Sequence, residues 1–164
     1  MTDLKRLNAL LPPELKPFLE KASALGFIPV LVGGAVRDLL LGATAISDWD
    51  FELHHKTGSD SLWSKLQHQL KENYQILPQP HGIVKAQLGK ELEFEFALPR
   101  VETYPAKDIY AHSDFTSKPV FNLSFEQASQ RRDFTLNAIG AALVNNHWEL
   151  WDPLHGVTAL QARE

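Results

Sequence analysis

Apolar residues recur along the chain with two periods, one typical of helices and one typical of strands. Helical spacing runs from Pro13 to Leu25, where Leu15, Phe18 and Ala22 fall on one face. The same reasoning predicts helices at 13–25, 35–41, 59–72, 124–130 and 134–142, with a further helix beginning near the C-terminus. Short apolar or alternating runs predict strands at 27–32, 49–54, 74–77, 83–88, 92–97 and 149–151. This order predicts an α/β domain with a central mixed β-sheet and flanking helices.

Two segments do not fit the pattern. Residues 1–12 are interpreted as a lead-in to the first helix. Residues 99–122 contain Pro99, Pro105 and Pro119 among mixed polar positions and are predicted to form a long loop. Loops of that length are often functional.

Composition narrows the class of protein. The 164 residues are about the size of one domain, and 44% hydrophobic residues suffice for one core. The chain has no cysteine, which excludes disulfides and thiolate metal sites. The absence of cysteine is compatible with the cytoplasmic location that we expect. No apolar run approaches the roughly 20 residues of a membrane span, so we expect no membrane partner. Sixteen Lys and Arg against twenty Asp and Glu give no strongly basic surface for nucleic acid.

Asp48 and Asp50 are the first candidate site. Side chains at i and i+2 of a strand point to the same face, so the two carboxylates are predicted to project together. Mg²⁺ prefers such oxygen ligands together with substrate phosphates. A solvated pair of carboxylates at a strand edge is the alternative interpretation.

Gly33 and Gly34 form a second candidate site, between a predicted strand and a predicted helix. Glycines allow the backbone to approach a phosphate closely, and N–H groups at a helix start favour an anion. Arg37 can add a guanidinium to a triphosphate. A simple tight turn is the alternative.

Two further clusters carry charge. Glu91, Glu93 and Glu95 share one face of the predicted strand 92–97, either as a solvated face or as the source of a third metal-binding carboxylate. Near the C-terminus lie Arg131, Arg132, Asp133 and Asn137. The arginines can hold phosphates, while Asp133 and Asn137, one helical turn apart, can face the same pocket. Helix capping is the alternative role of Asp133.

These segments together resemble a known family. The motifs, in chain order, are LVGGAVRDLLLG at 31–42, DWD at 48–50, FEFALPR at 94–100, RRDFTLNA at 131–138 and WDPLHG at 151–156. Their order and spacing strongly resemble the bacterial and eukaryotic type of tRNA CCA-adding nucleotidyltransferase and its relative, bacterial poly(A) polymerase. The resemblance covers about residues 27–160.

The resemblance implies a polymerase-β-like nucleotidyltransferase fold and a two-metal reaction. It implies that Asp48, Asp50 and Glu95 are catalytic and bind two Mg²⁺ ions. It implies a nucleotide-binding site formed by Gly33, Gly34, Arg37, Arg132, Asp133 and Asn137. The implied substrates are ATP or CTP and the 3′ end of an RNA, namely tRNA. Arg100 also falls on a family arginine.

The resemblance also implies a domain organisation. Residues 1–26 are assigned to the lead-in and its helix, 27–160 to the nucleotidyltransferase head domain, and 161–164 to the start of a neck region. The neck motif that selects the base in this family, Glu-Asp-x-x-Arg, does not occur in this sequence. Two alternatives remain at this point: a nucleotidyltransferase of the same superfamily with another acceptor, and a non-catalytic nucleotide-binding domain.

Overall fold

A mixed β-sheet of seven strands organises the chain. The computed structural model describes residues 4–103, 116–132 and 134–162. The strands in these ranges are β1 Ile28–Leu31, β2 Asp50–His54, β3 Gln75–Pro78, β4 Ile83–Leu88, β5 Leu92–Ala97, β6 Arg100–Thr103, β7 Thr116–Pro119, β8 Gly140–Val144 and β9 His147–Trp151. The large sheet has the order β3-β4-β5-β2-β1-β8-β9, and β6 pairs with β7 in a separate two-stranded sheet. The predicted mixed sheet is therefore present.

One parallel pair sits at the centre of this sheet. β2 pairs parallel with β5, with Asp50 opposite Glu95 and Phe51 opposite Phe96, whereas the other paired strands of the sheet are antiparallel. Neighbouring strands lie about 4.8 Å apart, so residues in register on one face are in contact range. The parallel pair therefore brings residues 45 positions apart in sequence to the same place on the sheet.

Helices cover the sheet on both faces. They are α1 Lys5–Leu10, α2 Lys16–Ala24, α3 Gly34–Leu40, α4 Asp60–Leu70, α5 Phe125–Ser129 and α6 Gly156–Ala162. On one face, Phe18 of α2 is fully buried, with its ring centroid 4.9 to 5.2 Å from those of Phe51, Phe94 and Phe96. Four aromatic rings at these separations form the centre of the main core.

The opposite face of the sheet has a smaller apolar cluster. It consists of Val30, Val32, Phe125 and Ala142. Because this cluster covers only part of the face, polar side chains of β2 and β5 remain available beside it.

The helix on this face, α5, begins at a local sequence signal. Ser124 forms a capping box with Gln127 at its start.

Three predictions about secondary structure were wrong. Residues 134–142 form a short 3₁₀ helix, Thr135–Asn137, followed by strand β8 rather than one helix. A Cβ added at Gly140 would lie 2.6 Å from the Phe125 ring and 2.7 Å from Val30, so close packing against β1 and α5 selects the strand. Within 99–122, β6 and β7 replace part of the predicted loop. The lead-in contains α1, whose Leu7 is fully buried.

Candidate active site

Asp50 is the first residue of β2 and lies on the face opposite the main core. Its neighbours Trp49 and Phe51 are buried, at 3% and 2% exposure, whereas Asp48 and Asp50 are exposed. Glu95 lies directly opposite Asp50 on β5 and is partly buried. The alternation of buried and exposed positions along both strands thus brings together three carboxylates from two segments of the chain.

The electrostatics of Asp50 reflect this grouping. Partial burial between the walls of the cleft raises the pKa of Asp50 above its ordinary value of 3.8, and the charges of Glu95 and Asp48 raise it further. Arg132 acts in the opposite direction and lowers it. Like charges at close range disfavour ionisation unless a cation compensates them.

The donor set fits a hard divalent cation. Carboxylate oxygens are the ligands that Mg²⁺ takes, usually one or two from the protein with the remainder from phosphates and water. Such a charge would compensate the negative charges of Asp48 and Glu95 that act on Asp50. Over the described ranges of the chain, no three His, Asp or Glu side chains already stand close enough to coordinate one ion by themselves. The remaining ligands would therefore come from substrate and solvent.

The turn between β1 and α3 depends on Gly33. Its φ of 79° and ψ of −153° lie in a region that is essentially restricted to glycine. Gly34 follows at the start of α3, where an added Cβ would lie 3.1 Å from Arg37 Nη2. The first glycine therefore serves the backbone conformation, and the second leaves room for the Arg37 guanidinium.

Arg37 connects two distant parts of the chain. Its Nε donates to Asp38 Oδ1 at 2.8 Å, and its Nη1 donates to Asn137 Oδ1 at 3.2 Å. Asn137 lies in the 3₁₀ helix instead of the predicted α-helix, yet it reaches the same site. Arg37 and Asn137, two of the predicted nucleotide-binding residues, are thus in direct contact.

Two cavities meet at Asp50. One, of about 160 Å³, is lined by Gly34, Arg37, Asp38, Ser47, Asp48 and Asp50 among others. The other, of about 200 Å³, is lined by Gly33, Asp50, Glu52, Glu95, Arg100 and Arg132 among others. They form one cleft with carboxylates where they join and cationic side chains on both sides. A metal–triphosphate complex has the complementary distribution of charge.

Glu52 is a residue of this cleft that sequence reasoning missed. It is only 3% exposed and lies two residues after Asp50 on the same face of β2. Its Oε1 is 2.7 Å from His54 Nε2, and its Oε2 is 3.6 Å from Arg131 Nη2 and 3.7 Å from Arg132 Nη2. The signal was present in the sequence, since polar residues occupy every second position from 48 to 54.

The described residues bring together most of the predicted site. Asp48, Asp50, Glu95, Gly33, Gly34, Arg37 and Arg132 line the cleft, and Asn137 contacts Arg37. Asp133 lies outside the described residues, so its predicted role stays a prediction. In the described part of the chain no helix is long and apolar enough to cross a membrane.

Comparison with known proteins gives a consistent result. The family described as the poly A polymerase head domain matches residues 30–164. The CCA-adding enzyme of Listeria monocytogenes serotype 4a (strain HCC23) is 32% identical over 151 residues, which cover 90% of this chain and 33% of that enzyme. The chain thus spans about a third of the length of this curated relative.

Solved structures show the same fold. A structure of a CCA-adding enzyme in apo form II matches with a TM-score of 0.72 and 22% identity, covering 98% of this chain and 37% of that one. A tRNA nucleotidyltransferase complexed with a primer tRNA and an incoming ATP analog matches with a TM-score of 0.59 and 25% identity, covering 88% of this chain and 36% of that one. The predicted polymerase-β-like fold is confirmed. With its family motifs in order, this fold and a matching profile over 30–164, the chain belongs to the poly A polymerase head domain family.

Proposed function

We propose that this chain is the head domain of a template-independent RNA nucleotidyltransferase. It would transfer a nucleotide from ATP or CTP to the 3′-hydroxyl of an RNA, namely tRNA, and release pyrophosphate. The relative in Listeria monocytogenes is a CCA-adding enzyme, and one structural neighbour was solved with a primer tRNA and an ATP analog. A cytoplasmic location, where such an enzyme meets tRNA, is part of the proposal.

The observation that carries the proposal is the parallel pairing of Asp50 with Glu95 beside the Gly33 turn. This pairing places a carboxylate whose pKa is raised next to the glycine turn and to Arg37. A pair of solvated carboxylates at a strand edge would not be expected to face a pocket that is lined by Arg37 and Arg132. The arrangement suits phosphoryl transfer, in which positioning and charge neutralisation provide most of the catalysis.

Asp48, Asp50 and Glu95 would hold two Mg²⁺ ions. Bound Mg²⁺ would supply a Lewis acid that favours ionisation of the attacking hydroxyl and neutralises the leaving pyrophosphate. The protein itself contributes the position of the carboxylates: two adjacent strands set their spacing, and the buried Trp49 and Phe51 anchor β2 on either side of Asp50.

Arginine side chains would bind the triphosphate on either side of these carboxylates. Arg37 is oriented by Asp38 and Asn137, so its guanidinium has a defined direction before a nucleotide enters. Arg132 lines the second half of the cleft with Glu52 as its counter-ion. Asn137, and Asp133 four residues before it in sequence, would contact the sugar or the base.

The test is calorimetric titration of ATP and CTP into this chain, with and without Mg²⁺. We expect binding that requires Mg²⁺ and that weakens strongly in the double variant Asp48→Asn, Asp50→Asn. Glu72→Gln, which removes an exposed carboxylate just beyond the end of α4, is the matched control. A folded wild-type chain that binds neither nucleotide would contradict the proposal.

Product analysis distinguishes the remaining alternatives. Incubation with labelled ATP or CTP and a tRNA that lacks its 3′-terminal nucleotides should extend the RNA. Transfer of the label to a small molecule or a protein, and not to RNA, would indicate a nucleotidyltransferase of the same superfamily with another acceptor. Nucleotide binding without Mg²⁺-dependent turnover, in this chain and in a longer chain that contains it, would indicate a non-catalytic domain.

A further inference from the structure

A buried charge cluster forms part of the wall of the cleft, on the same face of β2 as Asp50. Its centre is the carboxylate of Glu52, which contacts three basic side chains: His54, Arg131 and Arg132. The side chains of Glu52 and His54 are 5% and 8% exposed, and those of Arg131 and Arg132 are 21% and 17% exposed. The charge of Glu52 is therefore held almost completely out of water, while the two arginines retain an open side.

The hydrogen bonds of His54 fix the orientation of its ring. Nδ1 is 3.2 Å from the carbonyl oxygen of Leu123, and Nε2 is 2.7 Å from Glu52 Oε1. One ring nitrogen is therefore held at the backbone and the other at the carboxylate of Glu52, so His54 connects Glu52 to the chain at Leu123.

The pKa of Glu52 agrees with this arrangement. Burial acts to raise its pKa, but the hydrogen bond and charge of His54, with the charges of Arg132 and Arg131, bring it below the ordinary value of 4.5. Burial also lowers the pKa of Arg132, more than the charge of Glu52 raises it. The pKa shift of Glu52 favours its ionised form, whereas the pKa shift of Arg132 disfavours its protonated form. A guanidinium nevertheless remains protonated in proteins, so both partners are charged.

The two arginines of the cluster reach the cleft itself. Arg131 and Arg132 line the same cavity as Asp50 and Glu95, and the carboxylate of Glu52 contacts both arginines. An ion pair that served stability alone would not need to border the cavity that holds the carboxylates. Guanidinium groups held at the wall of a cleft are suited to bind phosphate oxygens.

We propose that Glu52 is a positioning residue, which holds the guanidinium groups of Arg131 and Arg132 toward the phosphates of the nucleotide, and that His54 holds Glu52. This inference rests on the proposed function and adds a specific role for two side chains of β2. Glu52 touches no phosphate itself. Its effect should therefore be seen in affinity for the polyphosphate and not in the charge of the metal-binding carboxylates.

The probe is inorganic tripolyphosphate with Mg²⁺, which has no base or sugar to contribute contacts. We expect Glu52→Gln to weaken its binding by about tenfold or more, because the arginines lose their fixed partner. Glu72→Gln removes the carboxylate of another ion pair, with Lys21, far from the cleft, and should change affinity less than twofold. Titrations are run at a temperature well below the unfolding transition of each variant.

A second readout separates positioning from stability. In wild type, the Nε–H NMR signal of Arg132, assigned with Arg132→Lys, should be distinct and slowly exchanging. In Glu52→Gln it should move toward the averaged position of exposed arginines. Glu52→Asp retains the charge but withdraws the carboxylate from the arginines, so it should bind tripolyphosphate more tightly than Glu52→Gln and less tightly than wild type.

The outcomes distinguish this inference from the proposed function. Wild-type binding together with unchanged affinity in a folded Glu52→Gln overturns the inference alone, even if its melting temperature falls. If Glu52→Gln does not fold, Glu52→Asp decides: wild-type affinity and a wild-type Arg132 signal overturn the inference. A wild-type chain that binds neither ATP nor tripolyphosphate overturns both, and this is known before any variant is compared.

Discussion

Asp50 and Glu52 lie two residues apart on the same face of β2 and have opposite electrostatic surroundings. Asp50 faces two other carboxylates, and its pKa is raised. Glu52 faces His54 and two arginines, and its pKa is lowered. One strand thus places a carboxylate that faces mainly negative charge next to a carboxylate that faces basic side chains, and the step of two residues along a strand separates them by about 7 Å.

The opposite surroundings of Asp50 and Glu52 divide the cleft into two parts, one suited to a cation and one suited to an anion. The Asp50 centre is unfavourable in the free protein and becomes favourable when a divalent cation arrives. The carboxylate of Glu52 already has basic partners in the free protein, and in our proposal it keeps the arginines ready for an anion. A magnesium–triphosphate complex supplies both charges at once, so the two centres would act on the same ligand.

The largest expected effect is on turnover. Asp50→Asn should slow nucleotidyl transfer by about a thousandfold, or about 4 kcal/mol in the activation free energy, because a developing charge loses its compensation. The measurement is the initial rate of extension of a truncated tRNA, in a longer chain if this one needs its other domains. Near-full activity with an unchanged circular dichroism spectrum would remove Asp50 from the catalytic site.

The second effect is on stability at the other centre. Glu52→Gln should lower the free energy of unfolding by about 3 kcal/mol, since buried cations lose their counter-charge. Denaturant unfolding at neutral pH measures this, with Glu72→Gln as the control. Because Glu72 is exposed, its ion pair should contribute less than about 1 kcal/mol. Equal losses in the two variants would show that the Glu52 cluster is no different from a surface ion pair.

The third effect has the opposite sign. Asp50→Asn should raise the free energy of unfolding by roughly 0.5–1 kcal/mol, because it removes repulsion with Glu95 and Asp48 while the site remains in contact with solvent. Added Mg²⁺ should raise the melting temperature of wild type and leave that of Asp50→Asn nearly unchanged. A variant less stable than wild type would mean that the carboxylates do not repel each other in the fold.

The smallest effect is the dependence of these differences on pH. The pKa of Glu52 in the folded protein lies below its ordinary value of 4.5, so its stabilisation is present above that value and is lost as pH falls through the folded pKa. The stability advantage of wild type over Glu52→Gln should therefore shrink on acidification.

Asp50 should behave in the reverse way. Its folded pKa is above 3.8, so its ionised form destabilises the fold at neutral pH, and protonation relieves this. The higher stability of Asp50→Asn over wild type should also disappear in acid. The reason differs from that for Glu52, because here protonation makes wild type more stable relative to the variant. Urea unfolding of the three proteins across acid pH gives both trends, and parallel curves would contradict the comparison.

Much of the candidate site was predictable from sequence because its signals are local. The turn at Gly33, the spacing of Asp48 and Asp50, and the alternation around Glu95 depend on residues within one element. Their grouping came from the order of family motifs. The pairing of Asp50 with Glu95 agrees with that expectation, and the catalytic roles stay predictions.

Other features depended on contacts between distant segments. Residues 138–142 are apolar and mostly small, which suits a helix or a buried strand, and pairing with β1 and β9 selects the strand. The two-residue connection Asn145-Asn146, with positive φ at both positions, is a hairpin turn that favours this outcome. The prediction of a helix at 134–142 did not take this turn into account.

By itself, the sequence determined the family, the α/β class with a mixed sheet and which side chains could carry metal and phosphate chemistry. Only the tertiary structure decided that Glu52 is buried beside Arg131 and Arg132, about 80 positions away, and that His54 bridges it to the backbone of Leu123. The physical reason is that periodicity reports which residues share a face of one element. The neighbours that set the charge and burial of those residues come from strand order and helix packing, which no local pattern contains.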